Sequence, residues 1–127
     1  MLSFVRSRIR SFRHAFSGLW YVIRTQRNAW IHAVATVMVV VLAFWLNLTV
    51  HDWAVLILAI ATVWMAEFLN TALEAVVDLA SPQLHPLARV GKDVGAAAVL
   101  LTAGSAILIG ILVLGPPLWA RLQLYIQ

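Results

Sequence analysis

Long uncharged stretches alternate with short polar segments along this chain. Three stretches are both long and apolar, at residues 29–46, 53–79 and 94–114. About 20 helical residues cross the roughly 30 Å of bilayer hydrocarbon, so these stretches predict three transmembrane helices. The pattern therefore predicts one three-span domain over residues 29–119, with a tail at residues 120–127. Gly115-Pro116-Pro117 is expected to end the third helix.

The residues before the first stretch follow a different pattern. Apolar residues recur there at steps of three and four, at Val5, Ile9, Phe12, Phe16, Leu19 and Ile23. At 100° per residue they form a single stripe, and several arginines lie along one flank of it. Residues 1–28 therefore predict an amphipathic helix in the cytoplasmic interface of the membrane. Two roles stay open for this helix, a plain membrane anchor or a part of the route of substrate access.

Composition supports a membrane protein. The chain has 127 residues, of which 63% are hydrophobic and 11% charged, against about 25% charged residues in soluble proteins. We therefore predict an all-α integral membrane protein and exclude a nucleic-acid binder. No cysteine is present, which excludes disulfides and thiolate metal sites.

Basic residues indicate how the chain is oriented. They lie before the first span and in the connection Ala80–Asp93, whereas the connection Asn47–Asp52 has neither lysine nor arginine. Basic loops stay in the cytoplasm. We therefore expect a protein of the inner (cytoplasmic) membrane, with a cytoplasmic N-terminus and the C-terminus outside.

The second span contains three carboxylates near its end, Glu67, Glu74 and Asp78. On a helical wheel they fall within about 60° of each other together with Thr71, and Asn70 lies beside them. They form one polar stripe that runs toward the cytoplasmic connection.

The depth of these carboxylates limits what they can face. If Trp53 marks the outer boundary, Glu67 lies about 21 Å into the bilayer, still within the hydrocarbon. An unpaired carboxylate there costs about 3 kcal/mol or more, so the stripe must face protein, water or a cation. One interpretation is a set of buried groups that fix helix packing. The other, which we favour, is a Mg²⁺ and phosphate site, because clustered carboxylate oxygens suit that ion.

Lys92 and Asp93 precede the third span directly and would lie near the carboxylates if the helices pack antiparallel. A lysine at a helix N-terminus can bind phosphate, although the same lysine also serves as a topology signal. The scattered histidines His14, His32 and His51 are interpreted as structural residues.

Two segments resemble a known family. AEFLNTALEAVVDL followed by HPLARVGKDVGAAAVL is similar to the small prokaryotic diacylglycerol kinases, and FRHAFSGLWYVIRTQRNAWIHA resembles their undecaprenol kinase branch. The resemblance covers Ser11 to Gly104. It implies a homotrimer of three-span subunits that transfers the γ-phosphoryl group of ATP to a lipid hydroxyl.

The resemblance also implies roles for individual residues. By motif position, Glu67 matches the general base, Asn70 lies in the active site, and Glu74 matches a magnesium ligand. Residues that match nucleotide contacts, or support them, are Asp78, Lys92 and Asp93. Where many members have a glutamate as second metal ligand, this chain has Gln26, which offers an oxygen without a negative charge.

The leading hypothesis is therefore a lipid kinase that uses ATP and Mg²⁺, with undecaprenol favoured over diacylglycerol as substrate. Its partners would be this lipid alcohol, the surrounding membrane lipids and two further copies of the chain. One alternative is a non-enzymatic bundle that conducts cations or protons along the carboxylate stripe. Another is an inactive scaffold, for which Gln26 is the one supporting feature.

Overall fold

A computed structural model describes residues 2–81, 83 and 85–126, with side chains from residue 6 onward. These residues form four helices, namely α1 (Leu2–Thr25), α2 (Arg27–Trp45), α3 (Val50–Ala80) and α4 (Pro86–Ile126). Three of them, α2 to α4, are long and apolar enough to cross a membrane. The predicted all-α architecture with three candidate spans is confirmed.

Short connections turn the chain between the first three helices. Gln26 has extended backbone angles (φ −100°, ψ 119°) and separates α1 from α2. Between α2 and α3, Asn47 adopts a positive φ of 53°, which an asparagine tolerates better than most residues. Thr49 then caps α3 through reciprocal hydrogen bonds with Asp52, a capping box that satisfies free backbone N–H groups. Because this turn is short, α2 and α3 are antiparallel neighbours.

The long helices contact each other in two regions, an apolar core near the α2–α3 turn and a more polar region farther along α3. α3 and α4 form the most extensive pair. At the end next to the α2–α3 turn, a core of four buried residues joins the three long helices: Ala43, Leu46, Leu56 and Leu114. Farther along α3, its buried side chains continue through Val63 to Glu67 and Asn70. The part of the predicted polar stripe formed by Glu67, Asn70 and Thr71 therefore faces protein.

The prediction that Gly115-Pro116-Pro117 ends the third helix is wrong. α4 continues through both prolines to Ile126. Contacts on both sides of the prolines hold the segment as one helix, since Leu114 and Leu118 both pack on the core at the turn end. Farther on, the Arg121 guanidinium stacks over the Trp45 ring, 5.1 Å from its centroid. At 1.5 Å per residue, the 41 residues of α4 extend for about 60 Å, roughly twice the hydrocarbon thickness.

Candidate active site

Glu67 is the most completely buried large side chain of the described residues, with 1% of its surface exposed. It lies on the face of α3 that also buries Val63, Asn70 and Thr71. Each of these positions is three or four residues from Glu67, so they lie along one side of the helix. A carboxylate at this position is shielded from water and from lipid.

His32 of α2 is the basic group next to Glu67. Its Nε2 atom lies 3.8 Å from Glu67 Oε2, and the His32 side chain is 13% exposed. Neither of these two atoms has a hydrogen-bond partner within the described part of the chain. The sequence interpretation of His32 as a structural residue overlooked this contact. The sequence did contain a signal for this contact, because His32 and Glu67 lie at comparable distances from the short turn of an antiparallel helix pair.

A hydrogen-bonded chain fixes α2 against α3 beside His32. Trp64 Nε1 donates to Thr36 Oγ1 at 3.1 Å, and Thr36 Oγ1 donates to the His32 carbonyl at 2.7 Å. The Trp64 and His32 rings also meet edge to face, with their centroids 6.3 Å apart. The sequence did not predict the hydrogen bond between Trp64 and Thr36, because a tryptophan and a threonine in apolar spans have many ordinary roles.

Asn70 lies one turn from Glu67 and hydrogen-bonds to the next carboxylate, Glu74. Its Nδ2 donates to Glu74 Oε1 at 3.0 Å, whereas its buried Oδ1 has no partner in the described residues. Gly95 of α4 is buried directly against Asn70, and a Cβ added there would collide with Asn70 Oδ1. The close approach of α4 therefore sets the position of the Asn70 amide.

Lys92 and Asp78 join the two helices at the other end of the stripe. Lys92 Nζ lies 2.5 Å from Asp78 Oδ1, and both side chains are partly exposed. Asp93 points elsewhere, since it is 74% exposed and its nearest basic partner is Arg89 of the same helix at 4.0 Å. The structure therefore brings Lys92, and not Asp93, to the α3 carboxylates.

The oxygen groups at this end do not form a metal cage by themselves. Within the described residues, no three His, Cys, Asp or Glu side chains cluster closely enough to hold a metal ion. Gln26 is the N-cap residue of α2, and its side chain makes no capping hydrogen bond there. A carboxylate such as Glu74 nevertheless fits Mg²⁺, which is commonly bound by one or two carboxylates together with substrate phosphates.

One cavity reaches His32 beside Glu67, and a second cavity reaches Thr71 of the stripe. An apolar groove of about 530 Å³ lies among α2, α3 and α4, and its lining includes His32, Thr36 and Trp64. A second cavity, of about 470 Å³, lies between α1 and α3 and includes Thr71. α1 is thus placed against the polar part of α3, where Val22 is buried.

The fold and site define a small integral membrane protein with a buried carboxylate beside an apolar groove and partly exposed charges at one end. The sequence profile of prokaryotic diacylglycerol kinase matches residues 13–114. The chain belongs to this family of membrane lipid kinases. The resemblance inferred from the motifs is therefore confirmed.

Similar proteins are named as two kinds of kinase, undecaprenol kinase and diacylglycerol kinase. The chain is 39% identical to an undecaprenol kinase of Bacillus subtilis (strain 168) over 109 residues, 86% of this chain and 89% of that protein. It is 47% identical to a diacylglycerol kinase of Synechocystis sp. over 109 residues, 85% of this chain and 62% of that longer protein. It is also 33% identical to a diacylglycerol kinase of Escherichia coli (strain K12), over 87% of this chain and 93% of that one.

Proposed function

We propose that this lipid kinase transfers the γ-phosphoryl group of ATP, bound with Mg²⁺, to the hydroxyl of a membrane lipid alcohol, and that undecaprenol is favoured over diacylglycerol. The observation that supports this most directly is Glu67, a 1% exposed carboxylate with one oxygen that has no hydrogen-bond partner among the described residues. His32, 3.8 Å from that oxygen, lines an apolar groove large enough for part of a lipid chain. A lipid hydroxyl presented from this groove would meet Glu67 away from bulk water.

In this proposal Glu67 is the general base. Its carboxylate takes the proton as the lipid O–H bond breaks, and the lipid oxygen forms a bond to the γ-phosphorus. The bond between the γ-phosphorus and the bridging oxygen breaks, and its electron pair leaves with ADP. Asn70 holds Glu74 by a hydrogen bond from Nδ2 and so sets the direction of that carboxylate.

The charged end of the stripe would bind the nucleotide. Lys92 neutralises phosphate charge, and Asp78 orients the lysine through their ion pair. Mg²⁺, when bound, neutralises negative charge on the phosphates, with Glu74 as its carboxylate ligand and Gln26 as a second oxygen. Asp93 supports the nucleotide from its exposed position.

Assembly as a homotrimer completes the proposal. Many large apolar side chains of α2 to α4 are exposed in one subunit, which suits contact with lipid and with other copies of the chain. Neighbouring subunits would cover the open side of the polar stripe. In the inner membrane, with the N-terminus in the cytoplasm, this stripe would end where ATP is available.

A conducting bundle is less well supported. No ionisable residue occurs between Val94 and Ala120, and α3 has no carboxylate between Asp52 and Glu67. A path for ions would therefore be interrupted in the half of the bilayer next to the α2–α3 turn.

The test is phosphorylation in lipid vesicles. Purified protein with Mg-ATP is given undecaprenol, diacylglycerol or a control lipid without a free hydroxyl, and ³²P incorporation is measured. We expect transfer to undecaprenol at the highest kcat/KM and none to the control lipid. Glu67→Gln should lose turnover while still binding ATP. Absence of transfer to either alcohol would contradict the kinase proposal, and turnover by Glu67→Gln would remove its role as base.

A further inference from the structure

We propose that His32 is the proton partner of Glu67: its Nε2 atom accepts the proton that Glu67 removes from the lipid hydroxyl and so restores the carboxylate. This inference rests on the proposed kinase reaction. It makes His32 a positioning residue, because it acts on the substrate only through Glu67.

The geometry of the two side chains supports this role. Glu67 is 1% exposed, so the proton it gains has no direct route to solvent. His32 is more accessible, at 13%, and forms part of the groove lining. The atoms that would exchange the proton, His32 Nε2 and Glu67 Oε2, are 3.8 Å apart. A small rotation of either side chain brings them within hydrogen-bond distance.

Within the part of the chain that the structure describes, both atoms also lack a hydrogen-bond partner. Buried polar atoms in folded proteins are nearly always hydrogen-bonded, and each exception requires an explanation. Here two unpartnered atoms, each able to hold a proton, face each other in a buried site. A proton shared between them would give each atom a hydrogen-bond partner.

The proton balance of the step is simple. The O–H bond of protonated Glu67 breaks and a new N–H bond forms at His32 Nε2. The neutral pair becomes a carboxylate and an imidazolium, whose opposite charges stabilise each other at this separation. The imidazolium then gives up a proton to a phosphate oxygen of the departing lipid product or to water, and the pair is ready for the next lipid.

Other charges near the pair are few. On α3, Glu74 lies two turns closer to the charged end of the stripe, and on α2 the nearest charge along the chain is Arg27. α4 has no ionisable group from Val94 to Ala120, and Lys92 beyond it is paired with a carboxylate of α3. Arg24 of α1 stacks on a tryptophan of its own helix. His32 is therefore the one basic group in contact with Glu67 among the described residues.

His32 is also held in place independently of Glu67. Thr36 donates to the His32 carbonyl and receives a hydrogen bond from Trp64 across the helix interface. The Trp64 ring meets the imidazole edge to face. Exchange of the imidazole for another group of similar size therefore leaves the helix pair supported.

The experiment compares the wild-type protein with His32→Gln and His32→Ala in vesicles, with kcat, KM for ATP and the pH profile measured for each. Glutamine can donate a hydrogen bond but cannot take up a proton. We expect kcat to fall by about ten- to a hundredfold while KM for ATP changes less than about twofold. The pH profile of kcat should change shape, because the group that accepts the proton from Glu67 is then absent. Added imidazole should restore part of the kcat of His32→Ala.

Thr36→Val is the structural control. It removes both hydrogen bonds of the Thr36 hydroxyl, to the His32 carbonyl and from Trp64, but leaves the imidazole. Its pH profile should therefore match that of the wild-type protein. An unchanged pH profile in His32→Gln, or a profile of Thr36→Val that shifts equally, would overturn the inference while leaving the kinase intact. Absence of turnover in the wild-type protein on any lipid would instead contradict the proposed function. Thermal unfolding of each variant identifies loss of activity caused by unfolding.

Discussion

Asn70 Oδ1 and Gly95 are in such close contact across the α3–α4 interface that no methyl group fits between them. Leu73 closes the same space, with its Cδ2 atom 3.1 Å from a Cβ built on Gly95. The requirement for glycine here comes from close helix packing and not from an unusual backbone angle. This contact connects the packing of the spans to the orientation of an active-site amide.

Gly95→Ala should therefore damage both stability and activity. Alanine favours a helix by up to about 1 kcal/mol over glycine, whereas overpacking of a tight interface costs about 1–3 kcal/mol. The net effect should be destabilising, with turnover reduced at least about tenfold because Asn70 must move. Thermal unfolding and the vesicle assay measure the two effects. Gly104→Ala is the matched control, since a Cβ there meets nothing within 4 Å. Equal damage by both variants would contradict the special role of Gly95.

Glu74→Gln tests the magnesium ligand. The glutamine can still accept the hydrogen bond from Asn70, so the geometry survives while the negative charge is lost. We expect the Mg²⁺ concentration for half-maximal activity to rise by about tenfold or more, by analogy with perturbed metal sites. Asp52→Asn makes the same change of charge in the capping box at the other end of α3 and should leave this concentration unchanged. An unaltered Mg²⁺ titration in Glu74→Gln would remove the residue from the metal site.

Gln26→Glu tests the departure from the family pattern. A carboxylate at the N-cap of α2 should strengthen metal binding, so less Mg²⁺ should be needed for half-maximal activity. Gln26→Ala serves as the comparison, because it removes the oxygen without adding charge. If both variants titrate like the wild-type protein, Gln26 does not contact the metal.

Lys92→Gln tests whether this lysine binds phosphate or serves only as a positively charged topology signal. Its ion pair with Asp78 is partly exposed, so the loss should cost less than about 1 kcal/mol of stability. As a phosphate ligand, however, its removal should raise KM for ATP by about tenfold. Arg89→Gln removes a basic residue that is 83% exposed on the same helix and should leave KM nearly unchanged. If both variants have the same effect, Lys92 contributes only general positive charge.

Arg121→Ala tests the part of α4 beyond the prolines. The stacking of Arg121 on Trp45 should contribute about 0.5–1 kcal/mol, the usual range for an exposed cation–π contact. We expect a small fall in the unfolding temperature with unchanged kinase activity, and Arg121→Lys should lose less. A stability equal to that of the wild-type protein would show that the contact does not stabilise this segment.

The sequence alone was sufficient to predict three spans, the face that Glu67, Glu74 and Asp78 share, and the family. These features depend on local patterns, because hydropathy determines where a helix can cross a bilayer and a period of 3.6 residues determines which side chains share a face. The roles of individual residues stay predictions that the experiments above address.

The contact of His32 with Glu67, the fit of Gly95 against Asn70 and the continuation of α4 through Pro116 depend on tertiary structure. Periodicity describes faces within one helix, but it does not determine how neighbouring helices rotate or how closely they approach. Proline disfavours a helix locally, yet packing on both sides of Pro116 and Pro117 outweighs that preference here. Local sequence patterns therefore predicted the elements of the site, and only the packing of α2, α3 and α4 determined which side chains meet within it.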